Sequence, residues 1–245
     1  ETAIISRISV DPRAPSVSRS NRDTAAVFFD LDGTLLDTAP DMVAALDRLR
    51  AELELEPVDF AHARRYVSRG ALGMLQVGFS HLEDAEREAM RERYLAHYER
   101  CLTDNTAPFA GMAELLDALD DAGTRWGVVT NKPGYLAEPL LAALDLARRC
   151  ASIVSGDTLP QRKPHPAPLL HAAREAGVPA TGSVYVGDDR RDIVAGRAAG
   201  MTTIAASYGY ITPDEDTADW GADHLVAEIT ELTELLRRQG WLGVS

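Results

Sequence analysis

Beyond residue 108 this 245-residue chain alternates helical apolar spacing with short apolar runs, and few folds satisfy that alternation. Helical patterns over 111–122, 137–144, 167–176, 193–199 and 228–238 are separated by runs at 126–130, 151–155, 184–187 and 202–206. Gly123 and Gly177 stand just past two of these helices, where a left-handed C-terminal cap favours glycine. The runs are too short for helices, and strands joined by helices within one sheet lie parallel with right-handed crossovers. The sequence therefore predicts an α/β fold, a Rossmann-like doubly wound parallel sheet.

One further strand comes early. Val27-Phe28-Phe29 reads as a segment buried on both faces, as in a parallel sheet. Between it and the alternating region, residues 39–106 show only helical patterns. Thr38-Ala39-Pro40-Asp41 has the form of a capping-box start, followed by Met42, Val43, Leu46, Leu49 and Leu53 at helical spacing. Further helical patterns cover 61–67, 71–79 and 83–101, with no convincing strand among them. The expected organisation is a core built from 25–38 and 107–245, interrupted by a helical insertion at 39–106 that is placed to act as a lid. Residues 1–24, rich in Ser, Arg and Pro, read as a disordered extension, with a transit peptide as the alternative on their four Arg and three acids.

Ligands of open parallel sheets bind just outside the carboxyl ends of the strands. Four such ends here carry polar clusters. The first strand runs into Asp30-Leu31-Asp32-Gly33-Thr34. If the chain stays extended, the two carboxylates point to one side; being mutually repulsive, they need a cation or a shared proton. A hard divalent ion such as Mg²⁺ fits one or two carboxylates plus a phosphate. Thr130-Asn131-Lys132-Pro133 follows the second run and offers a hydroxyl, an amide and backbone N–H groups to phosphate oxygens. Arg162-Lys163-Pro164-His165-Pro166 places a lysine in a proline-stiffened loop, with His165 as a structural loop residue. Val186-Gly187-Asp188-Asp189-Arg190-Arg191-Asp192 adds Asp188 as a second carboxylate for a metal, with Asp192 one helical turn further on.

Charge narrows the partners. With 38 acids against 25 bases the net charge is −13, unlike the basic surfaces that hold nucleic acid or anionic membranes. An anionic substrate must therefore be drawn by local positive charge. No apolar run approaches the ~18 residues that span a bilayer. Cys101 and Cys150, without CxxC or metal-ligand spacing, read as free thiols in a reducing cytoplasm. Oligomeric state is not legible.

Phe29-Asp30-Leu31-Asp32-Gly33-Thr34, Thr130, Lys163 and Gly187-Asp188-x-x-x-Asp192 together resemble the four ordered motifs of the haloacid-dehalogenase-like (HAD) superfamily. The resemblance covers nearly all of 25–240, including a helical cap inserted between the first two motifs. Val129-Thr130-Asn131-Lys132-Pro133, Arg162-Lys163-Pro164-His165-Pro166 and Val186-Gly187-Asp188-Asp189 bring it closer to bacterial phosphoglycolate phosphatases. Tyr208-Gly209-Tyr210 and Trp220-Gly221-Ala222-Asp223 extend the likeness. Some relatives with the same blocks are N-acetylmuramic acid 6-phosphate phosphatases. The resemblance implies a phosphatase acting on a small anionic phosphorylated metabolite, 2-phosphoglycolate first. A mutase of the β-phosphoglucomutase kind and a non-catalytic binding module on the same fold are the alternatives.

It also implies roles. Asp30 would be the nucleophile that becomes an aspartyl-phosphate, and Asp32 the acid and then the base. Mg²⁺ would be held by Asp30, the Asp32 backbone carbonyl and Asp188. Thr130 and the Asn131 amide would bind the transferring oxygens, Lys163 would neutralise charge, and Asp192 with Asp189 would support the metal from behind. The acid at position 32 favours an alkoxide leaving group, because superfamily dehalogenases, whose halide needs no proton, lack it. Ser68-Arg69-Gly70 falls where the family's cap carries its specificity loop, and Arg69 is the candidate for a substrate carboxylate.

Overall fold

The computed structural model describes residues 25–242. The expectation for residues 1–24 lies outside them. Six strands form one sheet in the order β5-β4-β1-β6-β7-β8, with every neighbouring pair parallel. These are β1 (Ala26–Phe29), β4 (Arg125–Val129), β5 (Ile153–Val154), β6 (Val184–Gly187), β7 (Thr202–Ala206) and β8 (His224–Val226). The chain reverses its order at β1, which sits between β4 and β6 with no residue exposed. Its side chains alternate between two cores. Val27 and Phe29 join the layer holding Leu116, Leu140 and Leu232, whereas Ala26 and Phe28 join the layer of Leu169, Ala172 and Ala195. The first face is covered by α6 (Met112–Asp121), α7 (Gly134–Ala143) and α10 (Ile229–Arg238), and the second by α8 (Ala167–Glu175) and α9 (Arg190–Ala198). Burial on both faces explains why these strands read as continuous apolar runs.

Between β1 and α6 lie five α-helices and no strand of the main sheet: α1 (Ala39–Ala51), α2 (Phe60–Arg64), α3 (Gly70–Gly78), α4 (Asp84–Ala89) and α5 (Arg91–Arg100). Helix α1 packs against α5 and α3. Gly78 lets α3 approach α1, since a Cβ there would meet the Leu46 side chain. The two chain crossings between block and sheet pair with each other as β2 (Leu36–Asp37) and β3 (Ala107–Pro108), antiparallel. Two residues per strand are too few to show a period, and one is a proline; the sequence gives no sign of them.

The start of α1 differs from expectation. Thr38 makes no capping bond to the helix. Its hydroxyl donates instead to Asp32 Oδ1 at 2.7 Å. Asp41, expected to reach back to the cap, is fully buried and accepts from the backbone and side chains of Asn105 and Thr106 at 2.7–3.0 Å. The fragment reads as a capping box, but its polar side chains tie the two crossings together and reach the strand end.

Candidate active site

The carboxyl end of β1 does not stay extended. The chain turns immediately after Asp30, with the Leu35 and Leu36 N–H groups both donating to the Leu31 carbonyl. Gly33 holds φ +84°, a left-handed conformation that disfavours side chains. The tight turn, not strand alternation, brings Asp30 and Asp32 to one cavity. A Cβ on Gly33 would also collide with the Asp188 carboxylate, and one on Gly209 would do the same from the other side. Asp188 is thus seated between two glycines.

Asp30, Asp188 and Asp192 offer carboxylate oxygens all within 4.8 Å of one another, and all three residues are buried. Lys163 enters this cluster at 2.8 Å from Asp30 Oδ1 and 2.7 Å from Asp192 Oδ1. Its ammonium also donates to the Tyr185 phenol at 2.8 Å. Asp30 Oδ1 accepts from Leu31 N, and among the described residues Oδ2 has no partner. Asp188 accepts from Thr34 and Ser68 hydroxyls and from Tyr210 N. Hard oxygen donors converging in a buried, glycine-walled niche suit a divalent cation of the Mg²⁺ type.

One lysine cannot neutralise three carboxylates. Burial, and then the charges of Asp30 and Asp192, push the Asp188 carboxyl well above the usual range. Burial likewise carries Asp192 up to about 7, against the pull of Lys163. Burial alone would drive Lys163 toward neutrality, but the carboxylates outweigh it and hold its pKa above the ordinary value. The sign of the linkage follows. Asp192 binds its proton more tightly folded than unfolded, so folding gains from this group below about pH 4 and loses it as pH rises to about 7. The slope is at most about 1.4 kcal/mol per pH unit for one proton. A divalent cation competes with that proton. The rise in Tm on replacing chelator by millimolar Mg²⁺ is therefore expected to be larger at pH 8 than at pH 5. Equal rises at the two pH values would refute the excess of negative charge.

Asp32 stands apart from the cluster. Its Oδ1 accepts from Thr38 and, at 2.8 Å, from Lys132 Nζ, while Oδ2 has no partner among the described residues. Thr130 Oγ1 accepts from Lys132 N, leaving the hydroxyl proton to be donated elsewhere. The Asn131 side chain is committed: its Nδ2 donates to the Lys163 carbonyl and its Oδ1 accepts from Lys163 N, both at 3.0 Å. It braces the lysine loop, and only its backbone N–H remains for an incoming oxygen. Asp189 lies outside the acid cluster. It caps α9, and its carboxylate is gripped by Arg191 at 2.6–2.8 Å, which, with the Arg191 backbone N–H, outweighs burial and lowers its pKa. Asp192 completes the capping box by accepting from Asp189 N. His165 accepts from Ala167 N at the start of α8, a structural task.

Most of these groups, though not Asp188 or His165, line a cavity of about 380 Å³ between the sheet and the helical block. Its wall carries Lys132, Lys163, Arg69, Arg91, Arg162 and Arg191 against four aspartates, so a chain of net charge −13 still presents local positive charge to an anion. Arg69 lines the cavity, but its guanidinium donates to Thr212 at 3.1 Å and lies 3.6 Å from both Asp214 and Glu215. Arg91 of α5 also lines the cavity, and its buried Nε has no hydrogen-bond partner among the described residues. Sequence reasoning missed Lys132, Tyr98 and Arg91. Lys132 stood inside a quoted strand-end block, which was a usable signal; Tyr98 and Arg91 lie on a helix whose facing surface no local pattern reveals.

Residues 27–206 match the family model described as haloacid dehalogenase-like hydrolase. A phosphoglycolate phosphatase of Xanthomonas campestris is 50% identical over 209 residues, covering 85% of this chain and 95% of that protein. An N-acetylmuramic acid 6-phosphate phosphatase of Pseudomonas aeruginosa is 44% identical over 214 residues, covering 87% and 95%. The crystal structure of CbbY from Rhodobacter sphaeroides in complex with phosphate superimposes with a TM-score of 0.67 at 25% identity, covering 85% of this chain and 96% of that one. With four strand-end clusters in order and most of the chain matched, the protein belongs to the haloacid dehalogenase-like hydrolase family.

Proposed function

We propose that the protein is a phosphomonoester hydrolase working through an aspartyl-phosphate on Asp30, with residues 39–106 as its cap. The observation that supports this most is the pairing of two differently held acids at one strand end. Asp30 keeps one oxygen on Lys163 and the other without a partner among the described residues, whereas Asp32 is held away from the cluster by Thr38 and Lys132. The unpartnered oxygen of Asp30 attacks phosphorus, forming the O–P bond as the ester P–O bond breaks. Asp32 gives its proton to the departing alkoxide, then takes one from the water that displaces phosphate and regenerates Asp30. Thr130 and the Asn131 N–H donate to the transferring oxygens, and Lys163 offsets the charge gathered between phosphate and Asp30. Asp30, Asp188 and the Asp32 carbonyl would hold Mg²⁺, which when bound neutralises phosphate charge and orients it.

The 50% identical relative makes 2-phosphoglycolate the first substrate to test. The cavity favours a second reading. Its 380 Å³ is far more than a two-carbon ester fills, and Leu72, Tyr94 and Leu95 line it with apolar surface. A bulkier carboxylated ester such as N-acetylmuramic acid 6-phosphate suits that space. Phosphate release should be measured with both esters, and kcat/KM for one of them is expected to exceed that for a non-carboxylated sugar phosphate at least tenfold. An isomerised ester in place of free phosphate would make the protein a mutase, and no turnover of any ester would leave only a binding module.

A further inference from the structure

Lys132 is almost fully buried, with 5% of its side chain exposed, and its ammonium is spent on two partners. It donates to Asp32 Oδ1 at 2.8 Å and to the Tyr98 phenol at 2.7 Å, and lies 4.5 Å from the centre of the Tyr98 ring. Tyr98 belongs to α5 of the helical block, whereas Asp32 and Lys132 stand at the ends of β1 and β4. Burial, and then the charge of Asp32, keep the Tyr98 phenol firmly protonated, so it meets Lys132 as a neutral acceptor. Thr38 donates to the same Asp32 oxygen that Lys132 does. Two donors on Oδ1 fix the carboxyl plane and leave Oδ2 without a partner among the described residues. A buried ammonium is an expensive way to hold a carboxylate, since a hydroxyl already holds it. The second contact, to a helix of the inserted block, is what the lysine adds.

From this arrangement we infer that Lys132 is a positioning residue for proton transfer, aiming Asp32 at the leaving oxygen and tying that aim to the seating of α5 through Tyr98. The assignment rests on Asp32 acting as the acid in the reaction above. Among the described residues the Lys132 ammonium bonds Asp32 and Tyr98 and no member of the three-aspartate cluster. Its loss therefore weakens protonation of the leaving group and spares attack by Asp30. Esters that differ in their need for a proton separate the two effects. An alkoxide leaves poorly unless protonated, whereas p-nitrophenolate leaves without help.

The test compares Lys132→Met with wild type on p-nitrophenyl phosphate and on the better of 2-phosphoglycolate and N-acetylmuramic acid 6-phosphate. The parameter is kcat/KM, which ends at leaving-group departure and excludes the later attack of water. The expected loss is about 10- to 100-fold on the alkyl ester, part of the ~10²–10⁴ that a positioned acid supplies, and less than threefold on the aryl ester. Tyr98→Phe, which keeps the ring and removes only the hydroxyl, should show the same bias at smaller size and serves if Lys132→Met folds poorly. Adding Lys132→Met to Asp32→Asn should cost nothing more on the alkyl ester, because the lysine acts through that carboxyl. Equal losses on the two esters, or additive losses with Asp32→Asn, would mean that Lys132 only holds the fold, and would overturn the assignment. If wild type cleaved neither kind of ester, the phosphatase reading would fail first, visible in the control alone.

Discussion

Asp30→Asn is expected to abolish phosphate release, by at least about 10⁴-fold in kcat, while leaving the protein folded. Asparagine keeps the shape of the side chain and an oxygen for Leu31 N, but an amide cannot attack phosphorus. The fold should tolerate the change well. One of three crowded carboxylates is gone, and Lys163 still has Asp192 at 2.7 Å. Tm should therefore hold or rise, most visibly above pH 7, where wild type carries the most unrelieved negative charge. Phosphate release and thermal melting on the same preparation check both halves. Substantial turnover with unchanged stability would rule out a covalent intermediate on Asp30.

Lys163→Met should lose both activity and stability. Removing one partner of a buried ion pair costs about 3–5 kcal/mol, because the remaining charge is stranded. Here it strands two carboxylates, Asp30 and Asp192. The cost depends on pH in a definite direction. Asp192 already titrates near 7 with the lysine present, and without it the carboxylates will bind protons more tightly still. At pH 5 the cluster can protonate and relieve itself; at pH 8 it cannot, so the fall in Tm should be larger at pH 8. Adding Asp192→Asn should recover part of the stability and none of the activity, since the cation that meets the phosphate is still missing. The kcat loss is put at about 10²–10³, the usual worth of one preorganised electrostatic group. A Tm deficit independent of pH would contradict the charge balance derived for this site.

Much of this was legible from residue order. The alternation beyond residue 108 is a consequence of strands buried on both faces, and such strands announce themselves as unbroken apolar runs between helices. The helical block was legible because it contains no such run. The elements that escaped, β2, β3 and β8, are two or three residues long and are defined by partners far away in the chain. The start of α1 shows the limit from the other side. Thr38 and Asp41 have the spacing of a local cap, yet each found a better partner at a distance, in Asp32 and in Asn105 with Thr106.

The site divides along the same line. By itself the sequence determined the fold class and the strand ends that carry Asp30, Asp32, Thr130, Lys163 and Asp188, because side-chain chemistry and strand position are properties of local order. The tertiary structure alone decided which oxygen of each carboxylate stays unpartnered. It committed the Asn131 side chain to the lysine loop, turned Asp189 toward Arg191 and set Arg69 against Asp214 and Glu215. It also brought Lys132 and Tyr98 together beside Asp32 from segments 34 positions apart. Buried polar groups must find partners wherever the fold supplies them, and distance along the chain does not enter that requirement.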